Sequence, residues 1–123
     1  MIIKELAEST CVRVSAQSGR LEACVERVYA GDRISDMLEQ ASDTTLVVTN
    51  LMGASLLRVA QLMDIPAVCL VNGKEPDPAM KEAAERQGTA LLVSPFDMFE
   101  TCGRLYAALR SRACPEGVRG TGG

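Results

Sequence analysis

The chain has 123 residues, the length of one ordinary domain, and 47% of them are hydrophobic, which is enough to form a buried core. Only 3% are aromatic and the net charge is -3 with no cluster of Lys and Arg, which argues against a nucleic-acid binder. No apolar run approaches the roughly 20 residues of a membrane span, and the first eight residues lack the apolar core of a signal peptide. We therefore expect a cytoplasmic protein that binds neither nucleic acid nor membrane.

The first third of the chain predicts two helices and two strands. A helix is expected over residues 2–9, strands over 11–16 and 24–29, and a second helix over 33–40. Gly31 directly follows the second strand, where its access to positive φ suits a sharp exit. Asp32 then stands where an N-cap for the next helix is needed. This region therefore predicts a strand, a tight loop and a helix in succession.

The remainder alternates regularly between strand and helix. Strands are expected over residues 45–49, 67–71 and 89–93, and helices over 53–63, 78–87 and 95–110. Asp77 and Pro78 are typical of a helix start, and Ser94 is the expected cap of the last helix, which carries Phe99 and Tyr106 along one stripe with Phe96 and Gly103. Strands that are apolar on both faces predict a single α/β domain with a mainly parallel sheet flanked by helices.

The residue inventory argues against several kinds of chemistry. There is no His, so Ser–His and Cys–His catalytic pairs are impossible. The five cysteines include no Cys-x-x-Cys pair, which predicts reduced, mostly buried thiols and no metal site. No G-x-x-x-x-G-K-[ST] phosphate loop is present. We expect no catalytic residues and no cofactor.

Two loops are candidates for ligand binding because they follow neighbouring parallel strands. The segment from Thr49 to Ser55 joins a strand to a helix, and the free N–H groups near Gly53 suit an anion. The alternative, which we favour from the residues alone, is that Asn50 or Ser55 only caps that helix. The second loop contains Asn72 and Lys74, and a cation there suits a phosphate.

Residues 21–109 resemble the DRTGG domain family, which is similar to the N-terminal domain of HPr kinase/phosphorylase and to the insert in CBS-domain pyrophosphatases. The resemblance lies in four ordered pieces: Tyr29-Ala30-Gly31-Asp32, Ser35-Asp36, Leu70-Val71-Asn72-Gly73-Lys74-Glu75-Pro76-Asp77, and Leu91-Leu92-Val93-Ser94 with Phe99-Glu100 and Gly103-Arg104-Leu105-Tyr106. Glu26-Arg27-Val28 stands where the family reads Thr-Gly-Gly, and Thr49-Asn50-Leu51 replaces a segment that usually holds a His.

The resemblance implies an HPr kinase N-terminal-domain-like fold, a tendency to dimerise and a regulatory role. It does not imply kinase activity, because fold kinship carries no activity across and the phosphate loop is absent. For the homodimer, the helix that carries Phe99 and Tyr106 and the N-terminal Ile3 and Leu6 are the expected contacts. We expect residues 1–113 to form the domain and 114–123 to be a disordered tail.

Three functions follow in order of preference. The first is a non-catalytic regulatory module that senses an adenine nucleotide or another anionic metabolite. The second is a protein-interaction subunit that docks on a metabolic or redox enzyme, and the third is a phosphotransfer enzyme related to HPr kinase. The expected ligand-binding residues are Tyr29, Gly31, Asp32, Ser35, Asp36, Thr49, Asn50, Gly53, Asn72 and Lys74.

Overall fold

A computed structural model describes residues 1–16 and 19–111, so the predicted tail over 114–123 lies outside the described residues. The helices are α1 (Ile3–Thr10), α2 (Ile34–Gln40), α3 (Ala54–Leu62), α4 (Pro78–Gln87) and α5 (Met98–Ser111). The strands are β1 (Arg13–Ala16), β2 (Arg27–Ala30), β3 (Thr45–Thr49), β4 (Ala67–Leu70) and β5 (Ala90–Val93). A short 3₁₀ helix, Gly19–Glu22, precedes β2. No helix in these described ranges is long and apolar enough to cross a bilayer.

One sheet holds all five strands in the order β1-β5-β4-β3-β2. The neighbours from β2 to β5 are parallel, and β1 runs antiparallel to β5 at one edge. The other edge is β2, which among the described strands pairs with β3 alone. The predicted α/β domain with a mainly parallel sheet is confirmed.

Helices cover both faces of the sheet because β3, β4 and β5 are buried along their whole length. The helices α1 and α5 pack on one face, and α2, α3 and α4 pack on the other. Alternate strand residues supply the two cores: Val48, Cys69 and Leu92 join the first, and Val47, Val68 and Leu91 join the second. The two-sided core leaves polar groups only at strand ends and at the sheet edges.

The starts of four helices were predicted from cap residues, and the prediction for α4 is the one that is confirmed. Asp77 caps α4, because its Oδ1 accepts a hydrogen bond of 2.8 Å from the N–H of Met80. The predicted caps Asp32 and Ser94 are wrong. The N-cap of α2 is Arg33, and α5 begins only at Met98, with Asp97 Oδ1 accepting from the N–H of Glu100 at 2.9 Å.

Ser94 misses its predicted role because it is buried and engaged elsewhere. Its hydroxyl shares a 2.7 Å hydrogen bond with the hydroxyl of Thr101 and accepts from the N–H of Phe96 at 3.2 Å. The predicted stripe on α5 is the solvent side of that helix, whose buried side is formed by Thr101 and Leu105.

The cysteines are only partly as predicted. Cys69 is a buried free thiol, Cys102 is half-buried, and Cys11 is exposed. Cys24 is disulfide-bonded, so the prediction that all the thiols are reduced is wrong there. Burial raises the pKa of Cys69 to about 12, and the nearby Cys102 acts in the same direction. Cys69 is therefore an inert part of the core at neutral pH.

The cap of α4 makes a stability prediction. We expect Asp77→Ala to lower the free energy of unfolding by about 1 kcal/mol, because the N–H of Met80 loses its acceptor. Urea unfolding followed by circular dichroism measures this loss. Glu82→Ala is the matched control, because Glu82 belongs to the same helix and makes only an exposed ion pair with Arg86. Equal midpoints for the two variants would contradict the capping role.

Candidate functional site

The carboxyl ends of β2, β3 and β4 meet at one edge of the sheet, because these strands are neighbours and parallel. The loop after β2 begins at Gly31, whose N–H donates to the carbonyl of Val48 at 3.0 Å. Residues 50–53 follow β3, and residues 71–74 follow β4. All ten predicted binding residues belong to the ends of these strands or to the loops and helix starts that follow, the region where ligands collect in open α/β sheets.

Asp32 joins the first two loops. Its Oδ1 accepts one hydrogen bond of 2.8 Å from the hydroxyl of Thr49 and another of 2.7 Å from the N–H of Asn50. The hydroxyl of Thr49 in turn accepts from the N–H of Leu51 at 3.1 Å. This network explains why Asp32 does not cap α2: its carboxylate is turned toward the neighbouring strand exit and fixes that loop.

Lys74 brings the third loop to the same place. Its Nζ donates to the carbonyl of Asn50 at 3.4 Å, so the ammonium group lies over the loop that follows β3. The side-chain Oδ1 of Asn50 is buried and has no hydrogen-bond partner among the residues that the structure describes. A buried polar atom without a partner costs free energy, so this oxygen marks a place where a donor from a ligand would be favourable.

The N-terminus of α3 carries no side-chain cap. Its N-cap is Gly53, with φ 108° and ψ -177°, a conformation that favours glycine. The alternative that Asn50 or Ser55 caps this helix is therefore wrong. The first N–H groups of α3 directly follow the β3 loop, and no side chain of the described residues caps this helix start, an arrangement that suits an anion.

Tyr29 folds back over the start of the first loop. A Cβ placed on Gly31 would lie 2.6 Å from the Tyr29 hydroxyl oxygen, so glycine lets the ring rest there. Partial burial raises the pKa of Tyr29, and the carboxylates of Asp36 and Asp32 act in the same direction, while Arg33 opposes them. Asp36 lies 3.8 Å from Arg33. Tyr29, Gly31, Asp32 and Asp36 are thus brought together, with Arg33 as a neighbour that the sequence did not single out.

Two predicted residues contribute less. Asn72, at φ 63°, donates its backbone N–H to the carbonyl of Phe96 at 2.7 Å, which ties this loop to the start of the last helix. Ser35 is exposed on α2, and no hydrogen bond of the described residues joins its side chain to the others. The local turn signal of Asn72-Gly73 was visible in the sequence, but its tertiary anchor was not.

This edge carries several groups that can contact a polar ligand. It offers helix N–H donors, an ammonium group, a phenol hydroxyl and two carboxylates. Among residues 1–16 and 19–111, no three His, Cys, Asp or Glu side chains gather as metal ligands. The edge therefore suits a polar ligand with both anionic and hydroxyl groups.

A separate cavity of about 520 Å³ lies between β2 and α5. Its lining residues are Glu26, Arg27, Val28, Ala30, Cys102, Tyr106, Leu109 and Arg110. None of the ten predicted binding residues lines it. The molecule therefore presents two distinct surfaces, the loop edge and this groove.

Comparison with known proteins places the fold. No family model and no curated protein matches the sequence. The structure is similar to the CBS and DRTGG domains of the regulatory region of a Clostridium perfringens pyrophosphatase, solved with its activator diadenosine tetraphosphate. The TM-score is 0.71 at 10% identity, over 85% of this chain and 45% of the other. The DRTGG-like fold is therefore confirmed, and this chain spans less than half of that structure.

The position of Tyr29 makes a pH prediction. In the native state the pKa of Tyr29 lies above its ordinary value of 10.0. The protonated phenol therefore stabilises the folded chain below pH 10, and this contribution to the free energy of unfolding is lost as the pH rises through the folded-state pKa. In a Tyr106→Phe background, the alkaline absorbance titration reports Tyr29 alone, because the chain has two tyrosines. Asp36→Asn should lower that pKa, since it removes a negative charge, whereas Glu85→Gln should not. An unchanged pKa in Asp36→Asn would place Asp36 outside the cluster.

Proposed function

We propose that this chain is a non-catalytic regulatory module that binds an adenine nucleotide or another phosphorylated anion at the loop edge. The observation that carries the proposal is the uncapped N-terminus of α3 beside the ammonium group of Lys74, at the carboxyl ends of parallel strands. The similar pyrophosphatase structure is a regulatory region with a nucleotide activator, which supports a regulatory role for a domain of this fold.

The phosphate would be held by the first N–H groups of α3 together with Lys74. Helix N–H groups and a partial positive charge favour an anion at a helix start. Lys74 adds a full positive charge from the next loop, and charge-assisted hydrogen bonds are the stronger kind. Gly53 leaves the approach open, because no atom lies within 4 Å of where its Cβ would be.

The negative charge of Asp32 affects which anions can bind at the loop edge. Its Oδ1 is used by Thr49 and Asn50, but its negative charge remains on the edge and repels a bare anion. A nucleotide reduces this conflict, because a ribose hydroxyl can donate to the carboxylate while the phosphates lie at α3. Asp32 therefore favours a nucleotide over inorganic phosphate.

The protein-interaction alternative rests on a different observation. Phe99 is 88% exposed and Tyr106 64% exposed on α5, which is an unusual display for large aromatic side chains. We propose that the module is a homodimer through this helix, and docking on a metabolic or redox enzyme is the second candidate use of the same face.

A thermal-shift titration tests the ligand proposal. We expect ATP to raise the melting temperature of the wild-type chain, with saturation at millimolar concentration, because a ligand stabilises the state that binds it. Lys74→Gln should weaken the apparent affinity by about tenfold, the effect of losing a contact of about 1.4 kcal/mol. Lys4→Gln, an exposed lysine on α1, is the matched control and should bind like wild type.

Two outcomes would contradict the ligand proposal. One is the absence of any shift with ATP, ADP, AMP or pyrophosphate. The other is a shift that Lys74→Gln and Gly53→Ala leave unchanged, which would place the ligand elsewhere. Asp32→Asn separates ligand classes, since it should improve binding of inorganic phosphate by removing the repelling charge.

We also expect no phosphate transfer between a nucleotide and HPr in either direction. The chain lacks the phosphate loop and has no His. Incubation with radiolabelled ATP and HPr measures this directly. Labelled HPr whose formation is lost in a single-residue variant of this chain would contradict the non-catalytic assignment.

A further inference from the structure

The solvent side of α5 carries a seam at the spacing used in helix–helix packing. Phe99, Gly103, Tyr106 and Arg110 recur at i, i+4, i+7 and i+11, so they lie along one side of the helix. The two aromatic residues are the most exposed large side chains of the seam, at 88% for Phe99 and 64% for Tyr106. Arg110 stays beside Tyr106, with its Nη1 donating to the phenol oxygen at 3.2 Å.

Gly103 leaves a notch in this seam. It lies inside a 14-residue helix and its φ is not positive, so the backbone does not require glycine. A Cβ there would meet no atom within 4 Å, so packing within the chain does not require glycine either. Glycine is a poor helix former, but at this open position it allows another chain to approach the helix backbone closely.

The open edge of the sheet runs beside the seam. The N–H groups of Arg27 and Gly31 donate inward to the carbonyls of Thr44 and Val48. Because successive residues of a strand alternate, the N–H and C=O groups of Val28 and Ala30 point outward from β2. These two residues also line the 520 Å³ groove, together with Tyr106 and Arg110. Within residues 1–16 and 19–111, the outer side of β2 pairs with no other strand, and it forms one continuous surface with the exposed aromatic helix.

We infer that this surface binds a second copy of the chain about a two-fold axis, with the two α5 helices antiparallel and Tyr106 of each copy seated in the Gly103 notch of the other. This inference rests on the homodimer proposed above and names its interface. The same antiparallel pairing places Phe99 opposite Arg110 of the second copy. The pair Phe99 and Arg110 has the same midpoint along the helix as the pair Gly103 and Tyr106, so one two-fold axis relates both. A large side chain then faces a small one, and a cation faces an aromatic ring.

Charge complementarity favours a second copy over other occupants. Glu100 in the first turn of α5 accepts hydrogen bonds of 3.0 and 2.9 Å from Nε and Nη2 of Arg104 on the same helix, and Arg110 lies exposed in the last turn. An antiparallel copy brings Arg110 toward this carboxylate of the other copy at both ends. The spacing also fits. The helix α5 contacts both β2 and β3, so with two β2 edges side by side the two helices would be about 10 Å apart, within the range of packed helices.

The test is the dimer dissociation constant, measured by analytical ultracentrifugation of the full chain from about 1 to 100 µM. Gly103→Leu should weaken dimerisation at least 100-fold, because the notch is filled. Its melting temperature, measured at concentrations where all chains are monomeric, should not fall, because the position is open and leucine is a better helix former. Leu62→Glu, an exposed leucine on α3, is the matched control and should dimerise like wild type.

The double variant Gly103→Leu/Tyr106→Ala tests the pairing itself. Residue 103 of one copy faces residue 106 of the other, so the shortened side chain makes room for the leucine. We expect the double variant to dimerise at least tenfold more tightly than Gly103→Leu alone. A double variant no tighter than Gly103→Leu would overturn this register.

The remaining outcomes separate this inference from the proposals before it. A wild-type dimer that Gly103→Leu leaves intact would overturn the interface but not the homodimer. A wild-type monomer at 100 µM would overturn both. Neither result tests the ligand proposal, because that proposal concerns Lys74 and Gly53 at the loop edge and is tested separately by the thermal-shift titration.

Discussion

The burial of β3, β4 and β5 on both faces is the constraint on which the rest of the molecule depends. Val47, Val68 and Leu91 are fully enclosed on one face, and Leu46, Ala67 and Leu92 on the other. A strand in this position must be apolar throughout and must be covered by helices above and below. Polar chemistry is then confined to two places, the ends of the strands and the edges of the sheet. The candidate ligand edge lies at the ends of the strands, and the α5 seam lies beside the β2 edge of the sheet.

Asp32 shows how the strand ends are organised. An exposed carboxylate next to a helix start is normally a cap, but here one oxygen fixes the hydroxyl of Thr49 and the N–H of Asn50 on the neighbouring strand. The exit of β3 is therefore rigidly held from the side of β2. Lys74 holds the same loop from the side of β4 through the carbonyl of Asn50. These hydrogen bonds join the three loops into one connected surface, as preorganised binding of the proposed ligand would require.

Much of the fold was predictable because its signals are local. The strand Thr45–Thr49 has the predicted bounds, since five consecutive apolar or β-branched residues between turn signals admit few other readings. Helix α4 was also well marked, by Asp77 and Pro78 at its start and Gly88 at its end. The parallel sheet followed from the alternation of such segments.

The errors occur where a distant partner competes with a local role. Ser94 is a favourable cap by type, but burial next to Thr101 gives its hydroxyl a better partner and delays the helix to Met98. The candidate site follows the same rule. Its location at the ends of parallel strands could be predicted, and the loops after β2, β3 and β4 do meet. The contact of Lys74 with Asn50 and the place of Tyr29 over Gly31 depend on tertiary packing that no spacing reveals.

The two proposed surfaces share one element. The strand β2 leads through Gly31 directly into Asp32, and its outward groups at Val28 and Ala30 belong to the groove beside α5. A second copy bound along β2 would restrict the motion of that strand and of the loop that carries Asp32. A ligand that orders the same loop would restrict the motion of the strand from its carboxyl end. Because binding free energies are linked, any such coupling must be reciprocal: a ligand that tightens the dimer is itself bound more tightly by the dimer, by the same factor. A short edge strand between the candidate ligand loop and the proposed partner surface is therefore a physical basis for coupling between these two sites.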